Sequence, residues 1–336
     1  MLTKKISTHI TNNEENRKIE LLSSNLLNEE NIIKSFKSHS GLSKAGKNQL
    51  KSTKTNQDTY IILTSIRGIK DFDIFGVLDG HGYEGHYVSQ FISKYIQIQF
   101  QTHPELEKLR SLEEIYEKLK SDKFVIINDI FLNANNALRD EVFDSKDSGT
   151  TCNLVIHVGE HIICANVGDS RAILIFDEEN DDKNLHFAKI FPLSFDSKPD
   201  NPEERERIYR MGGTVEKIKN KYGIEVGPLR VWEKNKDYPG LAMSRSIGDF
   251  NGKHIGIIPD PQIVEWTLTI HSKFIVICSD GIWEFVNNKD VMEFGKKYYM
   301  ENNPRGFCKE LIDNSTKIWE KEDDVIDDIT VVSVFF

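Results

Sequence analysis

The chain has 336 residues, 38% hydrophobic and 29% charged, with a formal net charge of −10 at pH 7. That length holds one large domain or two ordinary ones, and the composition is that of a soluble globular protein on the polar side. The acidic balance argues against nucleic acid or an anionic membrane as main partner, although Lys44 to Lys54 is locally basic, and no run of about 18 apolar residues spans a bilayer. Residues 1 to about 40 are rich in Asn, Glu, Ser and Lys. The spacing of Ile19, Leu22, Leu26, Ile33 and Phe36 predicts one or two short amphipathic helices, docked on the domain or else a partner-binding or disordered tail. From Gly41 the pattern is strand-rich. Tyr60 to Ile66 and Ile74 to Asp79 read as strands joined through Arg67-Gly68 and Lys70-Asp71. A helix follows from Glu84 to about Phe100, with Val88, Phe91, Ile92, Tyr95 and Ile98 on one face, and a second from Asp122 to Arg139. Thr151 to Val158 and His161 to Val167 form a hairpin around Gly159-Glu160, and Arg171 to Phe176 adds a strand before the acidic, solvated stretch Asp177 to Asp182. Pro202 to Met211 is a charged helix stopped by Gly212-Gly213. Strands at Ile263 to Leu268 and Phe274 to Asp280, helices at Lys289 to Tyr299 and Pro304 to Trp319, and a last strand, Ile329 to Phe335, complete the chain. Strand runs at hairpin spacing, interrupted by helix pairs, predict an α+β fold of antiparallel sheets with segregated helices.

Four acidic loci lie at the ends of these strands: Asn56-Gln57-Asp58, Asp79-Gly80-His81-Gly82, Ser279-Asp280-Gly281 and Asp327-Asp328. A carboxylate at the mouth of a buried strand is rigidly held and poorly solvated, so several converging there repel unless a cation neutralises them. Oxygen donors without a Cys or His cage suit Mg²⁺ or Mn²⁺. Either Asp-Gly pair alone is an ordinary turn; the set, with His81 behind the first pair, predicts a metal enzyme. The four cysteines (Cys152, Cys164, Cys278, Cys308) have no CxxC spacing, and three sit in apolar runs, as reduced thiols of an intracellular protein do. The start, Met1-Leu2-Thr3-Lys4-Lys5, has no apolar signal core and no glycine to myristoylate.

These loci stand in order with Ser148-Gly149-Thr150-Thr151, Asn166-Val167-Gly168-Asp169-Ser170-Arg171, Arg210-Met211-Gly212-Gly213, Leu241-Ala242-Met243-Ser244-Arg245-Ser246-Ile247-Gly248-Asp249 and the continuation Ile282-Trp283-Glu284. The ordered set resembles the metal-dependent protein phosphatases of type 2C, over roughly residues 41 to 336. The resemblance implies a four-layer α/β/β/α sandwich, two antiparallel sheets flanked by helix pairs, with residues 1–40 as an N-terminal extension. It implies a protein serine/threonine phosphatase holding two Mg²⁺ or Mn²⁺ ions, with provision for a weaker third. Asp79 then bridges both ions, the Gly80 carbonyl binds one, Asp280 and Asp327 bind the other, and Asp58 and Gln57 approach metal-bound waters. His81 matches the general acid that protonates the leaving oxygen. Asp169 matches a ligand of the third ion, or else is a turn residue paired with Arg171 or backbone amides. Arg245 and Asp249 read as support for the core, and Pro199 to Trp232 matches a mobile flap beside the cleft.

Several positions depart from the family pattern. Gln57 replaces a common Glu, Ser197 replaces a His before Lys198-Pro199, and Asp328 stands where Asn is usual. Glu284 replaces an Asp, which puts the third ion's site in question. Thr53 replaces the arginine that grips substrate phosphate, and Lys51 or Lys54 is expected to stand in as a point charge. The expected partners are phosphorylated proteins, met by a monomer in the cytoplasm or nucleus. The alternative is a catalytically weak or inactive phosphatase-like scaffold, which would call for a missing metal aspartate; Asp79, Asp280 and Asp327 are all present.

Overall fold

The computed structural model describes residues 35–178, 185 and 188–336. Ile19, Leu22, Leu26 and Ile33 lie outside the described residues, as does most of the acidic stretch after Asp177. In chain order come strands β1 (Ser38–Lys44), β2 (Thr59–Leu63) and β3 (Phe72–Leu78), then helices α1 (Gly85–Thr102) and α2 (Leu112–Ala137). Next are β4 (Cys152–Val158), β5 (His161–Val167), β6 (Arg171–Asp177) and β7 (Ala188–Pro192). Helix α3 (Pro202–Arg210) leads to β8 (Gly213–Lys219), β9 (Glu225–Glu233) and β10 (Pro239–Leu241). The chain closes with β11 (Gln262–Thr267), β12 (Ser272–Cys278), α4 (Asn288–Met300), α5 (Pro304–Glu322) and β13 (Ile329–Phe335).

Side-chain alternation explains the layers. On β3, Phe72, Ile74 and Leu78 pack in one cluster with α1 and α2, while Phe75 and Val77 enter a second cluster between the sheets. On β12, Phe274, Val276 and Cys278 pack with α4 and α5, and Ile275 and Ile277 join the inter-sheet cluster. Strands buried on both faces carry apolar runs, residues 74–78 of β3 and 274–278 of β12, which is why these two were visible in the sequence. One five-stranded antiparallel sheet has the order β1-β13-β12-β6-β7 and the other β11-β5-β4-β3-β2. The result is the expected four-layer sandwich of two antiparallel sheets between helix pairs.

Four details differ from the sequence reading. The buried stripe of α1 is Val88, Ile92, Ile96 and Phe100, and Ile98 is 55% exposed. At about 100° per residue, Ile98 lies on the far side of the helix from Ile96. Helix α2 starts at Leu112 rather than Asp122, because Ser111 and Glu114 form a reciprocal capping box ahead of buried Ile115, Tyr116 and Leu119. The backbone leaves helical geometry at Ser121–Phe124, where the sequence reading placed the start. The boundary expected at residue 40 falls inside β1, which pairs along β13 from Ser38↔Phe335 to Lys44↔Ile329. The expected flap supplies β8 and most of β9, which with β10 beyond its bounds form a three-stranded antiparallel sheet over a small cluster of Ile208, Val215, Val231, Ile255 and Ile257.

Candidate active site

One end of the sandwich gathers the acidic loci. Asp58 precedes β2, Asp79 follows β3, Asp169 follows β5, Asp280 follows β12 and Asp327 precedes β13. Asp79 is fixed by Thr151, whose hydroxyl accepts the Asp79 N–H at 2.9 Å and whose own N–H donates to the Asp79 carbonyl at 2.9 Å. A rigid backbone therefore aims that carboxylate. Gly80 sits where any side chain would collide with the Gly85 and Gln57 carbonyls, so the turn after Asp79 accepts only glycine. Asp58 is buried and its Oδ2 accepts from Ser279 Oγ at 2.8 Å.

These carboxylates are not independent acids. Burial, followed by the charge of Asp58, Asp280 and Asp327, lifts Asp79 well above the carboxylate range. Burial, then Asp169 and Asp327, pushes Asp280 up to about 8. Asp58 is pushed up to about 7 by burial and by Asp328 and Asp327, against the hydrogen bonds of Thr330 and Ser279. Asp58 Oδ1 and Asp280 Oδ1 are buried with no hydrogen-bond donor. Buried acceptors without donors, in an all-oxygen set that resists full ionisation, fit a hard divalent cation. Among the described residues no group of three or more His, Cys, Asp or Glu side chains is arranged to hold a metal ion by itself. Ions such as Mg²⁺ that keep several waters do not require such a group.

Cationic side chains border this cluster. Lys54 Nζ donates to Asp327 Oδ1 at 2.6 Å, whereas Lys51 turns away and donates to the Asp324 carbonyl at 2.8 Å. Lys51 has a left-handed backbone (φ 58°) inside a turn, so the strand alternation expected to choose between the two lysines does not apply there. Of the pair, only Lys54 borders the carboxylates. Asp169 is buried and ion-paired with Lys198, not Arg171. Arg171 is engaged by Asp196 through two hydrogen bonds of 2.8 and 2.7 Å. Glu284 is exposed beyond the helical turn that Asp280 opens. Gln57 donates its side-chain amide to the Gly82 carbonyl at 2.8 Å, tying two of the acidic loops together.

His81, matched from sequence to the general acid, has a partner that the sequence reading did not name. Its Nε2 lies 2.7 Å from Asp249 Oδ2, a partner 168 positions along the chain. Burial alone would lower the imidazole pKa, but the Asp249 carboxylate carries it above its ordinary value. Ser246 also donates to Asp249 Oδ2. A side chain at Gly149 would strike that same oxygen, so the Ser148-Gly149-Thr150-Thr151 motif makes room for the pair. Asp249, read from sequence as core support, instead holds the histidine.

Glu204 of α3 ties the expected flap to the Ser244-Arg245 segment. Its carboxylate takes 2.7 and 2.8 Å hydrogen bonds from Arg207, one of 2.7 Å from Arg245 Nη2 and one of 2.5 Å from Ser244 Oγ. Burial opposes ionisation there, yet the two guanidiniums hold Glu204 down to about 2.

An all-oxygen acidic cluster at one end of the sandwich is of the kind that metal-dependent enzymes use. Residues 43–322 match the family model described as Protein phosphatase 2C. The chain belongs to that family and is a metal-dependent protein serine/threonine phosphatase. "Probable protein phosphatase 2C 35" of Arabidopsis thaliana is 34% identical over 295 residues, covering 84% of this chain and 78% of that protein. "Probable protein phosphatase 2C 72" of the same plant is 31% identical over 297 residues, covering 85% and 83%. The crystal structure of a serine-threonine phosphatase 2C from Toxoplasma gondii is similar in fold, with a TM-score of 0.72 over 91% of this chain and 98% of that one at 20% identity.

Proposed function

We propose that the chain hydrolyses phosphoserine and phosphothreonine in proteins at the acidic end of the sandwich, with two divalent ions held by Asp79, the Gly80 carbonyl, Asp280 and Asp327, and through water by Asp58. The observation that carries this reading is the convergence of four acidic loci, far apart in sequence, at one end of the sandwich, with His81 beside them. When bound, Mg²⁺ or Mn²⁺ supplies a water acidic enough to attack at neutral pH and offsets phosphoryl charge. The new P–O bond forms as the ester P–O bond breaks, and His81 gives its proton to the departing serine or threonine oxygen. Asp249 keeps the ring oriented and favours its protonated state. Lys54, in place of the missing arginine, offers a positive charge to the phosphate. Lys198 pairs with one oxygen of Asp169 and leaves its Oδ1 buried without a donor, so a weaker third ion would bind there, while Glu284 is exposed. Four buried, unbridged cysteines suit action in the reducing cytoplasm or nucleus.

Phosphate release from a phosphothreonine peptide is the test. Protein dialysed against chelator is expected to be inactive and to recover on adding Mn²⁺ or Mg²⁺. Full turnover in excess chelator contradicts the proposal.

A further inference from the structure

The acidic cleft carries a cation of its own. Lys54 Nζ lies 2.6 Å from Asp327 Oδ1 and 3.5 Å from Asp328 Oδ2, and 28% of its side chain is exposed. Its two carboxylate partners are held very differently. Asp328 Oδ1 accepts the Gly46 N–H at 2.7 Å and Oδ2 accepts the Gln57 N–H at 2.9 Å. Those bonds make Asp328 a clip between two loops, with both oxygens committed. Asp327 is 40% exposed, and Oδ1 takes its own neighbour's N–H, that of Asp328, at 2.7 Å. An ammonium on a flexible stem therefore rests on the more accessible of the two carboxylates.

We propose that Lys54 is a tethered counter-ion that competes with the divalent metal for Asp327. The inference rests on the reading of Asp327 as a metal ligand. Without metal, the ammonium lies against Asp327 and near Asp328 and offsets the repulsion between those carboxylates. With metal at Asp327, two cations on one carboxylate repel, and Lys54 gives that carboxylate up. Its charge then becomes available to an anion in the cleft. Lys54 thereby links phosphate binding to metal occupancy, a coupling that an arginine locked to phosphate by two hydrogen bonds would not provide. Metal affinity is lowered in exchange for a metal-free state that stays folded.

Calorimetric titration with Mn²⁺, in the absence of any substrate, tests this on full-length chain stripped of metal. Lys54→Met keeps the stem and removes the charge; Lys54→Arg keeps the charge; Lys54→Gln keeps a donor to Asp327 without charge. Lys54→Met and Lys54→Gln are expected to bind Mn²⁺ at least about fivefold more tightly than wild type, the scale of one partly screened ion pair. Their metal-free forms should melt at lower temperature, so that Mn²⁺ raises their Tm by more than it raises that of the wild type. Lys54→Arg should stay close to wild type in both respects. Equal or weaker Mn²⁺ affinity in the two uncharged variants overturns the inference while leaving the metal site intact. Absence of Mn²⁺ binding in every protein, wild type included, overturns the metal reading and the inference with it.

Discussion

His81 and Asp249 divide one task between two residues. If His81 delivers the proton, His81→Ala should slow turnover of alkyl phosphate esters roughly 10²-fold, within the usual range for general-acid catalysis. The loss should shrink for p-nitrophenyl phosphate, whose leaving group needs little protonation. Asp249→Asn keeps the shape of the partner and removes its charge. It should lower kcat more than it raises KM, with the same dependence on leaving group. Equal losses on both esters for either variant would assign the pair a structural role. Residue by residue, the site was legible unevenly. Asp79 and Asp280 announced themselves because each ends an apolar run whose burial fixes the carboxylate. The pairing of His81 with Asp249 gave no local signal, since it depends on how the loops after two distant segments meet at Gly149. Lys54 and Lys51 were indistinguishable in sequence because the choice lies in a left-handed turn residue, not in strand periodicity.

At the scale of elements, the flap depends on Glu204 as a charged peg between α3 and the Ser244-Arg245 segment. Glu204→Gln leaves Arg207 and Arg245 short of a counter-charge and should cost about 3 kcal/mol at neutral pH, as breaking a buried ion pair does. The pH dependence follows from the depressed acidity. The ionised form is favoured in the folded state, so its contribution is complete above the ordinary carboxyl value of 4.5 and fades as pH falls toward about 2. The stability gap between wild type and Glu204→Gln, measured by urea unfolding, should therefore narrow over that window. A gap that is constant with pH would mean that packing, not charge, anchors the flap. Elements buried on both faces, such as β3 and β12, were readable from composition alone. Polar β1 was not: its sequence, Ser-His-Ser-Gly-Leu-Ser-Lys, becomes a strand by pairing with β13, and that partner lies nearly 300 residues away. The hairpin β8–β9 is similarly polar and owes its form to cross-strand pairing over a small apolar cluster. The early start of α2 did have a signal, the Ser111-to-Glu114 box, but its charged first turns hide the apolar period.

For the whole molecule, the central claim is that the fold holds several mutually repelling carboxylates at one end so that divalent metal can act there. Replacing Asp79 or Asp280 with asparagine removes ligand charge and relieves repulsion, so the fold should survive and the metal-free melting temperature should rise rather than fall. The most direct measurement is the rate of phosphate release from a phosphothreonine peptide at one fixed, moderate Mn²⁺ concentration, for wild type, Asp79→Asn and Asp280→Asn side by side. Wild type is expected to show a Mn²⁺-dependent rate and both variants nearly complete loss, with their circular dichroism unchanged. Near-normal rates in both folded variants would contradict the central claim.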